Sequence, residues 1–338
     1  MLAIGLDIGG ANLKAADSDG RVLSRSFAVW KRPERLGSEL AKLLALFPKP
    51  DCLAVTMTAE LADCFSTKSQ GVDRVLSAVE QVAGTTPVIV WQTGAEFVTS
   101  VVAREIPLLV AAANWHALAT WFGRLVPRNS AVLIDVGTTT TDVIPMLDGV
   151  PVPAGMTDIQ RLISGELIYS GVRRTPLCAV ALSVPFREGY CPLAAELFAT
   201  TLDVYLILKM IPEDASDHDT ANGQPATVVS AHDRLARMVC CDRQEFTLAD
   251  AETMARFLAD VQQQRISAAL KRVLSNLAGD CREVLISGSG TFLAETVLSE
   301  HRRLHGARRI RLAEQLTPEA SQAACAVAVA QLASERLS

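Results

Sequence analysis

Hydrophobic and polar positions change period several times along the chain, and each change marks an element. The apolar run AIGLDIG, closed by glycines, predicts a buried strand. ANLKAAD alternates and predicts a second, and RVLSRSFAV predicts a third after the Asp19-Gly20 turn, a strong hairpin signal. Pro33 opens a helical stretch reaching about residue 47. DCLAVTMT (51–58) reads as a buried strand, and GVDRVLSAVEQV (71–82) as a helix, with Val72, Val75, Leu76, Val79 and Val82 on one face. PVIVW (87–91) is another strand, and 107–122 a helix. The first part therefore predicts βββαβαβα.

A polar, Pro-containing break, RLVPRNS, follows at 124–130, and then the opening pattern returns. AVLIDVGTTTTDVIPMLDGVPV is again an apolar strand ending Asp-x-Gly, a turn, a second strand and an Asp-Gly turn. Aligning Asp7 with Asp135, 128 positions on, pairs Ile8 with Val136, Gly9 with Gly137, Asn12 with Thr140 and Lys14 with Asp142. Beyond it, 192–211 predicts a helix with a strongly apolar end, 213–224 an acidic loop and 247–276 one long helix or two joined ones. CREVLISGSG (281–290) predicts a strand entering a glycine turn. Thr317-Pro318-Glu319 is a good helix start, and the small residues of ASQAACAVAVAQLA predict close packing.

Length and charge narrow the class. A chain of 338 residues suits two domains. Lys+Arg 32 against Asp+Glu 37 gives −5, which argues against a nucleic-acid binder. Mean hydropathy is +0.25, yet the longest charge-free run, 106–123, carries Pro107, Asn114 and His116 and reads as a buried helix rather than a membrane span. The N-terminus has no basic region ahead of an apolar one, so neither a signal nor a transit peptide is expected and the protein is expected in the cytoplasm. The eight cysteines include no CxxC pair and read as reduced, core-packed thiols.

Chemistry concentrates in the repeated turns. A strand ending in Gly9-Gly10 can curl so that successive N–H groups converge on phosphate oxygens. Asn12 adds a neutral donor, Lys14 a cation, and Asp7 can hold a metal ion through water. The second turn sets Gly137, Thr138, Thr139 and Thr140 between Asp135 and Asp142. Carboxylates with hydroxyls are the hard oxygen ligands that Mg²⁺ takes beside a phosphate. The reading is a phosphate grip formed by Gly9, Gly10, Asn12, Gly137, Thr138, Thr139, Thr140, Gly288 and Gly290. Asp7, Asp135 and Asp142 surround Mg²⁺, and Asp7, Lys14 and Asp142 are the catalytic candidates.

Two such turns and a strand–GSG turn resemble the superfamily of sugar kinases, Hsp70 and actin. The resemblance implies an α/β fold of two ribonuclease-H-like domains with a cleft between them. The expected domains are 1–128, 129–312 and a C-terminal helix, 313–338, packing back on the first. A narrower resemblance rests on GLDIGGANLKAA, ELADCFSTKSQGV, AAANWHALA, DVGTTTTDVIP, GVRRTP, DHDTANGQP and RLARM. Together these are similar to the tetrahydromethanopterin-linked one-carbon transfer pathway proteins related to hydantoinase A, whose archaeal members make methanofuran. That family implies a transferase joining the phenol of γ-glutamyltyramine to an aminomethylfuran methyl diphosphate, with loss of pyrophosphate.

Glu60, Asp63 and Lys68 lie in the polar run after the 51–58 strand. That run reads equally as a solvated loop or as the strand end where open α/β sheets bind ligands. The same resemblance tips it toward substrate contact and favours Lys68 as a phosphate or carboxylate partner. It favours Arg173 and Arg174, framed by Gly171 and Pro176, for the γ-glutamyl carboxylates, and Asp217 and Asp219 for the substrate. Asn114 and Trp115 could face the cleft, His116 reads as a core histidine, and Asp203 could reach the cleft from its helix. Partners are thus small molecules, with no nucleic acid or membrane, and a homodimer stays open. An ATP-dependent small-molecule kinase of the same fold uses the same grip and remains the alternative. A nucleotide switch ranks last for want of room for a client domain.

Overall fold

The computed structural model describes residues 1–337. The first half runs β1 (Ala3–Ile8), β2 (Asn12–Asp17), β3 (Val22–Ser26), α1 (Leu36–Leu44), β4 (Cys52–Met57), α2 (Lys68–Ala83), β5 (Val88–Gln92), β6 (Glu96–Thr99), α3 (Ser100–Glu105), α4 (Pro107–Val110) and α5 (Asn114–Phe122). The second runs β7 (Ser130–Val136), β8 (Thr141–Leu147), β9 (Val150–Pro151), α6 (Asp158–Ser164), β10 (Leu167–Ile168), β11 (Ser183–Phe186), β12 (Gly189–Pro192) and α7 (Thr201–Ile207). It continues through α8 (Val228–Met238), α9 (Leu248–Asn276), β13 (Cys281–Ser287), α10 (Thr291–Glu300), β14 (Arg308–Arg311), α11 (Pro318–Gln322) and α12 (Ala324–Leu337).

The first sheet has the order β3-β2-β1-β4-β5-β6, with β2 antiparallel to β1 and β4 parallel to it. The second has β10-β8-β7-β13-β14, again with one antiparallel and one parallel neighbour at the central strand. These are two ribonuclease-H-like domains, and β1 corresponds to β7, β2 to β8 and β4 to β13. The fold is the α/β, actin-like one expected from the two turns.

Alternation along β1 sorts its faces. Ile4, Leu6 and Ile8 join Leu40, Val72 and Val79 of α1 and α2 in one core. Ala3, Gly5 and Asp7 face the other way, where Ala113, just before α5, Ala117 of α5 and Ala328, Val329 and Ala333 of α12 pack in a layer of mostly small residues. There the backbones come so close that a Cβ on Gly5 would overlap the Ala326 carbonyl. The last helix thus lies on the first sheet, although the chain reaches it from the second.

Several elements differ from the sequence reading. The 107–122 helix is broken into α4 and α5, with Ala112 at a φ of +48° and Ala111 bridged to Met57 at the end of β4. The helix expected over 192–211 is the short α7, preceded by the β11–β12 hairpin. Its apolar residues, Leu202, Val204, Tyr205 and Leu206, pack within the second domain's core. Among the described residues every cysteine is a free thiol, but Cys52 alone is fully buried; Cys240 is exposed. No helix of the described residues is long and apolar enough to cross a membrane.

Candidate active site

The strand ends carrying the two turns meet across a cleft of about 790 Å³. At the first, the Gly9 N–H closes the turn on the Asn12 carbonyl at 2.9 Å; at the second, Gly137 does so on Thr140 at 2.8 Å. The carbonyls behind are occupied, Gly10 and Ala11 accepting from Val29 and Phe27, and Gly137 and Thr138 from Val172, Arg173 and Arg174. The GVRR segment therefore buttresses the second turn with its backbone. Among the described residues, the N–H groups of Gly10, Ala11, Thr138 and Thr139 find no protein acceptor. Unpartnered turn N–H groups are the donors from which anion-binding nests are built.

The β-ladders place the charged groups. Asp7 lies opposite Lys14 on β2 and beside Thr56 on β4. Asp135 lies opposite Asp142 on β8 and beside Ser287 on β13. All four charged residues line the cleft with Gly9, Gly10, Asn12, Gly137, Thr138, Thr139, Thr140 and Gly288. Burial pushes Asp7 upward against the pull of Lys14, and its Oδ1 has no partner among the described residues. Burial and then the neighbouring Asp142 push Asp135 up to about 7. Burial also raises Asp142, opposed by Arg161.

Arg161 is the residue that sequence reasoning missed. It is 1% exposed, donates to Asp142 Oδ1 at 2.8 Å and to the Glu166 carbonyl at 3.1 Å, and lies 3.8 Å over the Trp115 ring. No periodic cue in RLISGE marks it, because its role arises only when α6 meets β8 and α5. Asn114 and Trp115 do line the cleft, as do Cys325 and the start of α12. His116 is buried against Trp91, whose Nε1 donates to its Nδ1 at 3.3 Å, and burial drives it down to about 4.

Some expected roles change. Asp142 lines the cleft, but Arg161 takes one of its oxygens, so it serves as half of an ion pair rather than as an open metal ligand. Gly290 spends its N–H on the Val136 carbonyl and packs against Val136 and Val172, so it supports the turn instead of gripping phosphate. Gly288 does reach the site, at a φ of +90°, where a Cβ would overlap the Val136 carbonyl. Lys68 is paired with Asp158 at 3.1 Å and does not line the cleft. Arg173 is paired with Asp217 at 2.6 Å, and Asp219 lies 3.8 Å from Arg174, so Arg173, Asp217 and Asp219 tie the acidic loop down beside the cleft. Arg174 lines the cleft, 5.4 Å from the Trp30 ring. Asp203 pairs with the fully buried Arg234 at 2.6 Å and is structural.

Among the described residues no group of three His, Cys, Asp or Glu forms a metal shell, so Asp7, Asp135 and Asp142 are not a closed inner sphere. The orphaned oxygen of Asp7 and the cleft-facing Asp135 fit a hydrated Mg²⁺ instead, held through one or two carboxylates and completed by phosphate oxygens.

The profile of the hydantoinase/oxoprolinase family matches residues 51–336. The (4-{4-[2-(gamma-L-glutamylamino)ethyl]phenoxymethyl}furan-2-yl)methanamine synthase of Methanocaldococcus jannaschii is 34% identical over 345 residues, 100% of this chain and 99% of that protein. The synthase of the same name from Methanococcus vannielii is 30% identical over 171 residues, 51% of this chain and 76% of that one. A nucleotide-free acetone carboxylase structure superposes with a TM-score of 0.55 at 9% identity, over 97% of this chain and 70% of that chain, a likeness of fold alone.

Proposed function

Because the chain belongs to the hydantoinase/oxoprolinase family, we propose that it is a transferase of methanofuran-type cofactor synthesis. It joins the phenol of γ-glutamyltyramine, or a tyrosine-derived analogue, to an aminomethylfuran methyl diphosphate and releases pyrophosphate. The observation that carries the reading is the pair of opposed turns with unpartnered N–H groups, in a chain that matches the archaeal synthase from end to end.

The chemistry follows from the donor set. A departing diphosphate gathers negative charge on its oxygens. The N–H groups of Gly10, Ala11, Thr138 and Thr139 belong to cleft-lining residues and have no protein acceptor among the described residues, so they can donate to that charge as it develops. Lys14 adds a cation from β2, and Arg174 a guanidinium from the segment beside the second turn. Asp7 and Asp135 would hold a hydrated Mg²⁺, which supplies charge neutralisation to the leaving group. The furan ring stabilises positive charge at the methylene carbon as the carbon–oxygen bond lengthens. Trp30, Trp115 and Tyr169 line the same cleft and give aromatic walls for the two rings.

The test is product analysis by mass spectrometry. The purified chain with both substrates and Mg²⁺, and no nucleotide, is expected to form the aryl–alkyl ether. Ether formation that requires ATP, or none under either condition, overturns the reading.

A further inference from the structure

Glu60 is a feature of the cleft that the diphosphate grip does not use. It sits in the turn Ala59–Leu61 just beyond β4, is 1% exposed and lines the cleft. Among the described residues its Oε2 has no hydrogen-bond partner. A buried, unpaired carboxyl oxygen costs stability, and such groups concentrate where chemistry needs them.

The surroundings hold Glu60 firmly in place. The Thr58 N–H donates to the Ile8 carbonyl at 2.9 Å, tying the loop to the end of β1 beside the first turn. Gly71 of α2 packs on the Glu60 backbone so closely that any side chain there would collide with its carbonyl. The charged groups facing it are Lys68 of α2 and Asp158 of α6, which are paired with each other at 3.1 Å. Burial outweighs Lys68 and its own backbone N–H and pushes Glu60 up to about 7.

The other carboxylates of the cleft are less suited to taking a proton. Asp142 is committed to Arg161 and Asp158 to Lys68. Asp7 and Asp135 stand at the ends of the central strands, among the groups that grip the leaving group. Asp63 is exposed. Among the described residues Glu60 is thus the buried cleft carboxyl with neither an ion-pair partner nor a place at the ends of the central strands.

We propose that Glu60 is the general base of the ether-forming step, an inference that rests on the function proposed above. Its carboxylate takes the phenol proton while the phenol oxygen bonds to the furan methylene carbon. The bond from that carbon to the diphosphate oxygen breaks, and pyrophosphate leaves with the electron pair.

The experiment compares wild type and Glu60→Gln with two acceptors: the ordinary phenol and a ring-fluorinated one already ionised at assay pH. With the ordinary phenol the variant is expected to lose kcat by about 10²–10⁴-fold, the usual worth of a positioned base. With the ionised phenol it should recover most of that loss. Equal loss with both acceptors, a loss confined to KM, or no loss overturns the inference. Calorimetry with pyrophosphate checks that the variant is folded. Should it not fold, wild type alone decides: kcat should fall as pH drops through about 7 with the ordinary phenol, and stay level with the ionised one. An identical fall with both contradicts the role. Wild type inert toward both phenols overturns the transferase reading itself and this inference with it, whereas an active wild type matched by an equally active variant overturns this inference alone.

Discussion

The two turns of the cleft share a backbone and differ in charge. Each follows the central strand of its sheet, each closes a glycine N–H on the residue three positions later, and each has its carbonyls held by the following chain. Opposite Asp7, however, stands Lys14, and opposite Asp135 stands Asp142. The first hairpin sets its acid opposite a cation of its own. The second places two carboxylates side by side and must borrow a cation, Arg161, from α6. One backbone design thus sets an acid opposite a cation in the first hairpin and opposite a second acid in the other.

The most damaging way to break this contrast is to remove the borrowed cation. Arg161→Ala leaves Asp142 without its partner next to Asp135, and stability should fall by roughly 3–5 kcal/mol, as when one member of a buried ion pair is lost. Chemical denaturation reads this, and an unchanged midpoint would show that the second hairpin does not depend on α6. Lys14→Met is the matched change on the first hairpin. It should leave the denaturation midpoint near wild type but weaken pyrophosphate binding by about ten- to a hundredfold, the worth of a charge-assisted hydrogen bond. Calorimetry measures that loss.

Acidity sharpens the contrast further. Asp135 is raised to about 7, so it must lose a proton to hold a cation, and affinity for Mg²⁺ with pyrophosphate should weaken as pH falls below about 7. A pH-independent affinity would remove Asp135 from the metal's surroundings. The smallest effect is on the free protein. A carboxyl whose folded pKa is raised from 3.8 to about 7 binds more protons folded than unfolded in that window, so its contribution to stability declines as pH rises through it. Asp135→Asn should therefore raise Tm at pH 8, by about 2–4 °C for each kcal/mol regained, and change it little at pH 4. A variant that melts lower at pH 8 would contradict the strain assigned to that pair.

The turns were legible in the sequence because their signals are local: an apolar run, an acid at its end, a glycine, a polar strand and an Asp-Gly turn, repeated 128 positions apart. The register pairs Asp7 with Lys14 and Asp135 with Asp142 without a bulge. Arg161 was not legible as a site residue, and Glu60 was legible only as part of a polar run at a strand end, because their roles come from packing between distant elements. Arg161 acquires its task where α6 meets β8 and Trp115. Glu60 becomes buried only when Gly71 lets α2 close on it. The Arg173–Asp217 pair shows the reverse error: charged residues in a motif can serve one another rather than a ligand. The break between α4 and α5 escaped periodicity because Ala112, the residue at positive φ, is as good a helix former as its neighbours.

The most direct measurement is a phosphorus-31 NMR time course on the wild-type chain with Mg²⁺ in two mixtures. One holds the aminomethylfuran methyl diphosphate with γ-glutamyltyramine; the other holds ATP with the furan alcohol or monophosphate. The account predicts pyrophosphate in the first mixture only, and only when the phenol is present. ADP appearing in the second mixture, with the first unchanged, would contradict it and make the same pair of turns the grip of a kinase.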